Sequence, residues 1–269
     1  MRIRLGHSSD PDDAFMVWAL ATGAIDTGGF EFEFVASDIQ TLNEWALEGR
    51  LEVTALSAAA YPRVHERYAL LPHGASIGAG YGPIVVTPTQ RSIEELRNLE
   101  IVVPGTLTTA FLVLGLALGG AFAYRELDFQ EILEEVRDGR AEAGLLIHEG
   151  QLTYAAEGLA KSLDLGEWWS AETGLPLPLG VNVVRRDVER IDELADVIGA
   201  SIAAGLAHRD EALAYARQFG RGLDDALADR FVGMYVNELT QDYGDDGRRA
   251  FAELMRRAGA DVDVEFVGA

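Results

Sequence analysis

Pro83-Ile84-Val85-Val86-Thr87 and, well down the chain, Pro178-Leu179-Gly180-Val181-Asn182-Val183-Val184 are two short, proline-led, apolar runs with the look of buried strands. The block between them has the size of a small lobe and itself alternates strand-like and helical stretches. A lobe inserted whole into another, joined by two crossing strands, is the economical reading. It divides the chain into lobe 1, residues 1–86 plus 180–269, and lobe 2, residues 87–179. Ligands of α/β folds collect at the C-terminal ends of strands, so the cleft between the lobes is the expected ligand site.

Working outward, strand and helix signals keep alternating. Ile3-Arg4-Leu5-Gly6 reads as a strand, and Asp13 to Ala21 as a helix capped by Asp10 or Asp12. Phe30 to Val35 alternates with period two. Ile39 to Leu47 reads as a helix started by Asp38 or Thr41, Val53 to Ser57 as a strand, and Ala58 to Val64 as a helix. Gly74 to Gly82 is a glycine-rich loop. Beyond it come a short helix at Ser92–Leu96, a strand at Glu100–Val103, a long apolar helix ending near Leu118, a helix at Phe129–Arg137 and a strand at Ala143–Ile147. Trp168 to Pro178 reads as a loop. From Val188 onward the chain is mostly helical, with breaks near His208, Gly220–Gly222 and Gly244–Gly247. Such alternation implies an α/β architecture with mostly parallel strands.

Composition narrows the function. The chain has 269 residues, 48% of them hydrophobic, which is enough for a full core and excludes disorder. The formal net charge is −22, and Lys161 is the one lysine. A chain this acidic repels nucleic-acid backbones and anionic lipid surfaces. Without cysteine it has no disulfide, thiolate nucleophile or Cys-ligated metal. Asp10, Asp12 and Asp13 follow too soon after Met1 for a signal peptide, and the longest apolar stretch, Ala110 to Ala123, is too short for a membrane span. A cytoplasmic protein without membrane insertion is expected.

Two features carry chemistry. Val103-Pro104-Gly105-Thr106-Leu107-Thr108-Thr109-Ala110 sets a glycine turn and adjacent hydroxyls at the start of an apolar helix. The unpaired N–H groups and partial positive charge of such an end suit a carboxylate or phosphate without any lysine. Ordinary capping by Thr106 or Thr108 explains the same residues. His148, directly after the apolar strand, is the candidate proton acceptor at neutral pH, and a satisfied loop histidine is the alternative; Glu149 either orients it or simply faces solvent. His7 ends the first strand and could face the cleft. Asp10-Pro11-Asp12-Asp13 suits helix capping better than a metal. Ser57, at a strand end without a nucleophile-elbow glycine pattern, is a candidate ligand donor. Trp168, Trp169 and Tyr81 are candidate walls for an aromatic ligand, although core or rim packing is the more common use of such residues.

Several segments, in order over about two-thirds of the chain, resemble the 1,4-dihydroxy-6-naphthoate synthases of the futalosine route to menaquinone. They are Asp38-x-x-Thr41-Leu42-Asn43-x-Trp45-Ala46-Leu47-Glu48-Gly49, Leu56-Ser57-x-Ala59-Ala60-Tyr61, Gly80-Tyr81-Gly82-Pro83, Pro104-Gly105-x-x-Thr108-Thr109-Ala110, Glu142-Ala143-Gly144-Leu145-Leu146-Ile147-His148-Glu149, Asp164-Leu165-Gly166-x-Trp168-Trp169 and Gly174-Leu175-Pro176-Leu177-Pro178-Leu179-Gly180. The resemblance implies a type II periplasmic-binding-protein-like fold of two α/β lobes with mixed sheets and two crossover hinge strands. It implies a lyase that splits cyclic dehypoxanthinylfutalosine into 1,4-dihydroxy-6-naphthoate and dihydroxyacetone, with no metal or cofactor. It further implies that His148 is the general base and that Leu56, Ser57, Thr108 and Thr109 contact an aromatic carboxylate substrate. The chain departs from the resemblance in two places. Ser8-Ser9-Asp10-Pro11-Asp12-Asp13 stands where related sequences often read Ser-Pro-Cys-Pro-Asn-Asp, and Ala55 stands where a lysine is common. A chorismate dehydratase of the same pathway and a non-catalytic binding protein for small anions are the alternative readings.

Overall fold

The computed structural model describes residues 1–219, 224–262 and 264–268. Two sheets organise the chain. The first is ordered β2 (Glu31–Ser37), β1 (Arg2–Ser8), β3 (Val53–Ser57), β11 (Leu177–Arg185), β4 (Tyr68–Leu70), with β5 (Ser76–Gly78) also paired to β11. The second is ordered β10 (Ala160–Asp164), β6 (Ile84–Thr87), β9 (Ala143–Leu146), β7 (Ile101–Val103), β8 (Tyr124–Glu126). β1 runs parallel to β2 and β3, and β7 runs parallel to β8 and β9. β6 and β11, the strands at which the chain passes from one sheet to the other, run against all their neighbours. The sheets are therefore mixed and not mostly parallel, because each returning strand enters its sheet from the opposite end.

Sheet membership changes a few residues earlier than the sequence suggests. Ile84–Thr87 pairs wholly within the second sheet, and Leu177–Arg185 wholly within the first. β4 and β5 escape sequence reading. Each is three residues long, too short to show a period, and exists by pairing with the distant β11. The expected glycine-rich loop thus contains β5.

Helices flank both sheets: α1 (Pro11–Thr22), α2 (Ile39–Glu48), α3 (Ile93–Leu96), α4 (Thr109–Leu118), α5 (Phe129–Arg137), α6 (Gly150–Thr153), α7 (Leu165–Thr173), α8 (Ile191–Ala207), α9 (Arg209–Ala216), α10 (Asp225–Tyr235), α11 (Glu238–Gln241) and α12 (Gly244–Arg257). Their starts follow capping chemistry. Asp38 accepts the Thr41 N–H, and Ser92 forms a reciprocal capping box with Glu95. Ala58–Arg63 is a 3-10 turn. The expected Trp168–Pro178 loop is largely α7, because Asp164 accepts from the Gly166 and Glu167 N–H groups and starts a helix that runs to Gly174. The expected helix breaks near His208 and Gly244 fall between α8 and α9 and between α11 and α12, Gly244 itself opening α12; the expected break near Gly220–Gly222 lies outside the described residues.

The largest core cluster joins the two sheets. It holds Leu56, Leu70 and Val181 from the first and Val85, Val103 and Leu145 from the second, together with Tyr61 of the 3-10 turn, Val113 of α4 and Trp169 of α7. A second cluster packs α1, α8 and α9 on the outer side of the first sheet, and a third sits under α5. Burying these surfaces fixes the strand ends that bound the site.

Candidate active site

Both sheets send strand ends to one cavity of about 100 Å³. From the first come Ser8, Asp10, Asp12 and Asp13 after β1, Leu56 and Ser57 at the end of β3, and Leu179 to Asn182 on β11. From the second come Thr108, Thr109 and Ala110 at the start of α4, and Ile147 and His148 after β9. Phe231 and Tyr235 of α10 close one side. All five residues singled out for chemistry, Leu56, Ser57, Thr108, Thr109 and His148, line this single space.

His148 is 9% exposed, and its Nδ1 lies 2.7 Å from Oδ2 of Asp10, itself 4% exposed. The sequence offers Glu149 for this place, with a solvent-facing side chain as the alternative. The strand direction decides otherwise, since β1 ends opposite β9 and delivers Asp10 to the ring. Asp10 occupies the N-cap position of α1 but makes no side-chain cap; its Oδ2 faces His148 and accepts the Ser8 hydroxyl at 2.8 Å. The Phe129 ring packs edge-on against the imidazole at 4.1 Å between centroids. Asp10, His148 and Glu149 each offer a ligand atom within 4.8 Å of one another, the one such group among the described residues.

At the start of α4 the Thr108 hydroxyl accepts the Phe111 N–H and donates to the Gly105 carbonyl. Capping is thus what this hydroxyl does. Thr109 reaches across to the first sheet, donating to the Leu179 carbonyl at 2.6 Å and accepting the Ala59 N–H at 3.1 Å. Both hydroxyls are engaged within the protein, so what the turn offers an anion is its helix-start peptide N–H groups. Gly105 makes the turn possible: its φ is +150°, and a Cβ there would meet the Gln40 side chain at 2.3 Å. Gln40 in turn accepts the Leu107 N–H.

Ser57 is held by Asn43 twice over. Asn43 Oδ1 accepts the Ser57 N–H at 2.8 Å, and Asn43 Nδ2 donates to the Ser57 hydroxyl oxygen at 3.0 Å. The hydroxyl hydrogen is left to donate toward a ligand. Sequence reading missed Asn43 as a site residue, although it stands in one of the resembling segments and is a polar amide in a buried stripe of α2.

Charge is distributed unequally around the cavity. No Arg or Lys lines it among the described residues, whereas three aspartates do. Burial, reinforced by Asp13 and Asp10, pushes the Asp12 carboxyl well above the usual carboxylate range. Burial also raises Asp13, opposed by the Ser8 N–H that it accepts and by His7.

Other candidates fall elsewhere. His7 is buried beside Phe34 and Phe219, with Nδ1 against the Ser8 carbonyl, and does not line the cavity. Trp169 is fully buried in the core and donates to the Pro176 carbonyl, and Trp168 packs against the same core. Tyr81 bonds the Met234 carbonyl and packs on Tyr235. The aromatic walls are Phe231 and Tyr235, whose helix shows no ligand signal in sequence. Among the described residues no helix is long and apolar enough to cross a membrane.

Two mixed α/β sheets closing on a cavity at their strand ends define the periplasmic-binding-protein class of fold. The alkanesulfonate-binding protein of Xanthomonas axonopodis pv. citri shares it at a TM-score of 0.68 and 11% identity, covering 99% of this chain and 96% of that one. A crystal structure of a protein from Archaeoglobus fulgidus is far nearer, with a TM-score of 0.91 and 44% identity over 96% of this chain and 97% of the other. Residues 3–260 match the family model for menaquinone biosynthesis, and the chain belongs to that family. It is 43% identical to a 1,4-dihydroxy-6-naphthoate synthase of Thermus thermophilus over 96% of this chain and 94% of the relative. It is 37% identical to one of Streptomyces coelicolor, over 99% and 96%. The protein is an enzyme of menaquinone biosynthesis with a periplasmic-binding-protein-like fold.

Proposed function

We propose that the chain is a carbon–carbon lyase that converts cyclic dehypoxanthinylfutalosine to 1,4-dihydroxy-6-naphthoate and dihydroxyacetone, with His148 as general base. The observation that carries this reading is the convergence of His148, Ser57 and the start of α4 on one cavity, in a chain similar over nearly its whole length to two such synthases. In the proposed reaction His148 removes an acidic proton from the substrate. The resulting electron pair drives cleavage of the bond to the three-carbon fragment and the ring aromatises; the fragment leaves with the electrons of the broken bond and takes up the proton that His148 returns. The substrate's atoms divide between the two products, so the step calls for no oxidant or reductant. The N–H groups at the start of α4 face the carboxylate, and Ser57 donates to a substrate oxygen.

The two lobes expected from sequence as residues 1–86 plus 180–269 and residues 87–179, with sheet membership changing a few residues earlier at Ile84 and Leu177, are proposed to part to admit substrate. A cavity of about 100 Å³ is smaller than the ~150 Å³ that accommodates one benzene, and a bicyclic acid needs more. Closure then keeps water from the carbanion-like intermediate. Incubation with cyclic dehypoxanthinylfutalosine, and separately with chorismate, tests the reading by chromatography of the products. Formation of naphthoate and dihydroxyacetone in equal amounts supports it. Turnover of chorismate alone replaces it with the dehydratase, and tight binding without turnover of either replaces it with a binding protein.

A further inference from the structure

The contact between His148 and Asp10 joins the two sides of the cavity. His148 follows β9 of the second sheet, and Asp10 follows β1 of the first. The pair is buried, 2.7 Å apart, and Oδ2 of Asp10 also accepts the Ser8 hydroxyl. An ionised carboxylate can only accept a hydrogen bond, so at this distance the proton of the neutral ring sits on Nδ1 and the lone pair on Nε2. The carboxylate also favours the imidazolium that forms once a proton has been taken up. Asp10 stands at the N-cap position of α1 without making the side-chain cap found at Asp38, Thr108 and Asp164, and its Oδ2 faces the ring instead.

We infer that Asp10 is the positioning residue of this enzyme, holding His148 in the tautomer and orientation of a base, and that the base is assembled from both sides of the cleft. The inference rests on the proposed role of His148. Other ionisable groups share the surroundings: Asp12 and Asp13 from α1, Glu149 beside His148 in sequence, and Tyr235 from α10. Asp10 is the one among them in direct ion-pair contact with the ring. A proton taken from the substrate is held on Nε2, while Nδ1–H stays donated to Asp10.

Asp10→Asn, which keeps the volume and removes the charge, tests this in two ways. In steady-state kinetics on cyclic dehypoxanthinylfutalosine, kcat falls roughly 10- to 10⁴-fold with KM changed far less. The acid limb of the kcat/KM profile moves to lower pH by about 1 to 3 units, since the imidazolium has lost its counter-charge. In the ligand-free protein, an NMR titration of His148, assigned by loss of its signals in His148→Ala from among five histidines, shows the same downward displacement. Asp10→Glu restores part of both. A merely structural role lowers activity without moving either midpoint, and that result overturns the inference, as does unaltered kcat in Asp10→Asn. If the wild-type protein turns over no substrate, the proposed function has failed; the His148 titration still decides whether Asp10 governs the ring.

Discussion

Two strand-to-helix turns face each other across the cavity and have been given opposite chemistry. The turn from β1 into α1 carries Asp10, Asp12 and Asp13, and the turn from β7 into α4 carries Thr108 and Thr109. Each ends at the positive pole of a helix. At α1 that pole is met by carboxyls of the same chain, so nothing there favours an added anion, whereas a cationic imidazolium is favoured. At α4 only hydroxyls are present, one capping and the other clasping the opposite sheet, and the pole remains electropositive. In a protein of net charge −22 with no Arg or Lys among the described lining of the cavity, the proposed function uses this asymmetry: one end would hold the carboxylate while the other supports the base.

The sharpest way to break that division is His148→Ala. It removes the base from the acidic side, and kcat is expected to fall on the order of 10²- to 10⁴-fold, measured by naphthoate release. Unchanged turnover would end the base assignment. On the other side, Thr108→Val with Thr109→Val is expected to raise KM about 10-fold, more than it lowers kcat. The pair also loses a helix cap and leaves the Ala59 N–H and the Leu179 carbonyl without their partner, together costing about 2–4 kcal/mol, so Tm drops by several degrees. An intact Tm would show that the clasp between the sheets contributes nothing. Ser57→Ala is a smaller test: KM rises about 2- to 10-fold at near-constant kcat, the effect of one neutral hydrogen bond. A fall in kcat with KM unaltered would move Ser57 from binding into the chemical step.

The subtlest prediction concerns pH and stability. Asp12 has a folded-state pKa above its unfolded value, so the folded form keeps this proton to higher pH than the unfolded chain does. Its contribution is fully present below about pH 4 and is lost as pH rises from there through the raised pKa, at no more than about 1.4 kcal/mol per pH unit. Asp12→Asn should flatten this part of the Tm–pH curve and raise Tm at neutral pH, with Asp13 retaining a weaker dependence of the same sign. A curve as steep in the variant as in the wild type would place the titration elsewhere.

Much of this site is legible locally. The turn at Gly105, the cap at Thr108 and the position of His148 at a strand end all follow from short-range rules of capping, turn chemistry and periodicity. Asp10 and Asn43 were not legible in the same way. Asp10 sits where a capping aspartate belongs, and only the approach of β9 shows that its carboxylate is occupied by His148. Asn43 lies on a helix, and its purpose appears only when β3 places Ser57 beside it. The tryptophans show the converse. A large aromatic beside prolines can wall a ligand but more commonly packs in a core, and burial selects the core for Trp169.

By itself the sequence determined the alternation of strands and helices, the two crossing strands and the hydroxyl-bearing helix start, because these depend on neighbours within a turn or two of chain. The tertiary structure alone decided the direction of the crossing strands, the pairing of β4 and β5 with β11, and the partner of His148. Those depend on groups distant in the chain that packing brings within hydrogen-bond reach, and no local pattern encodes which distant group that is.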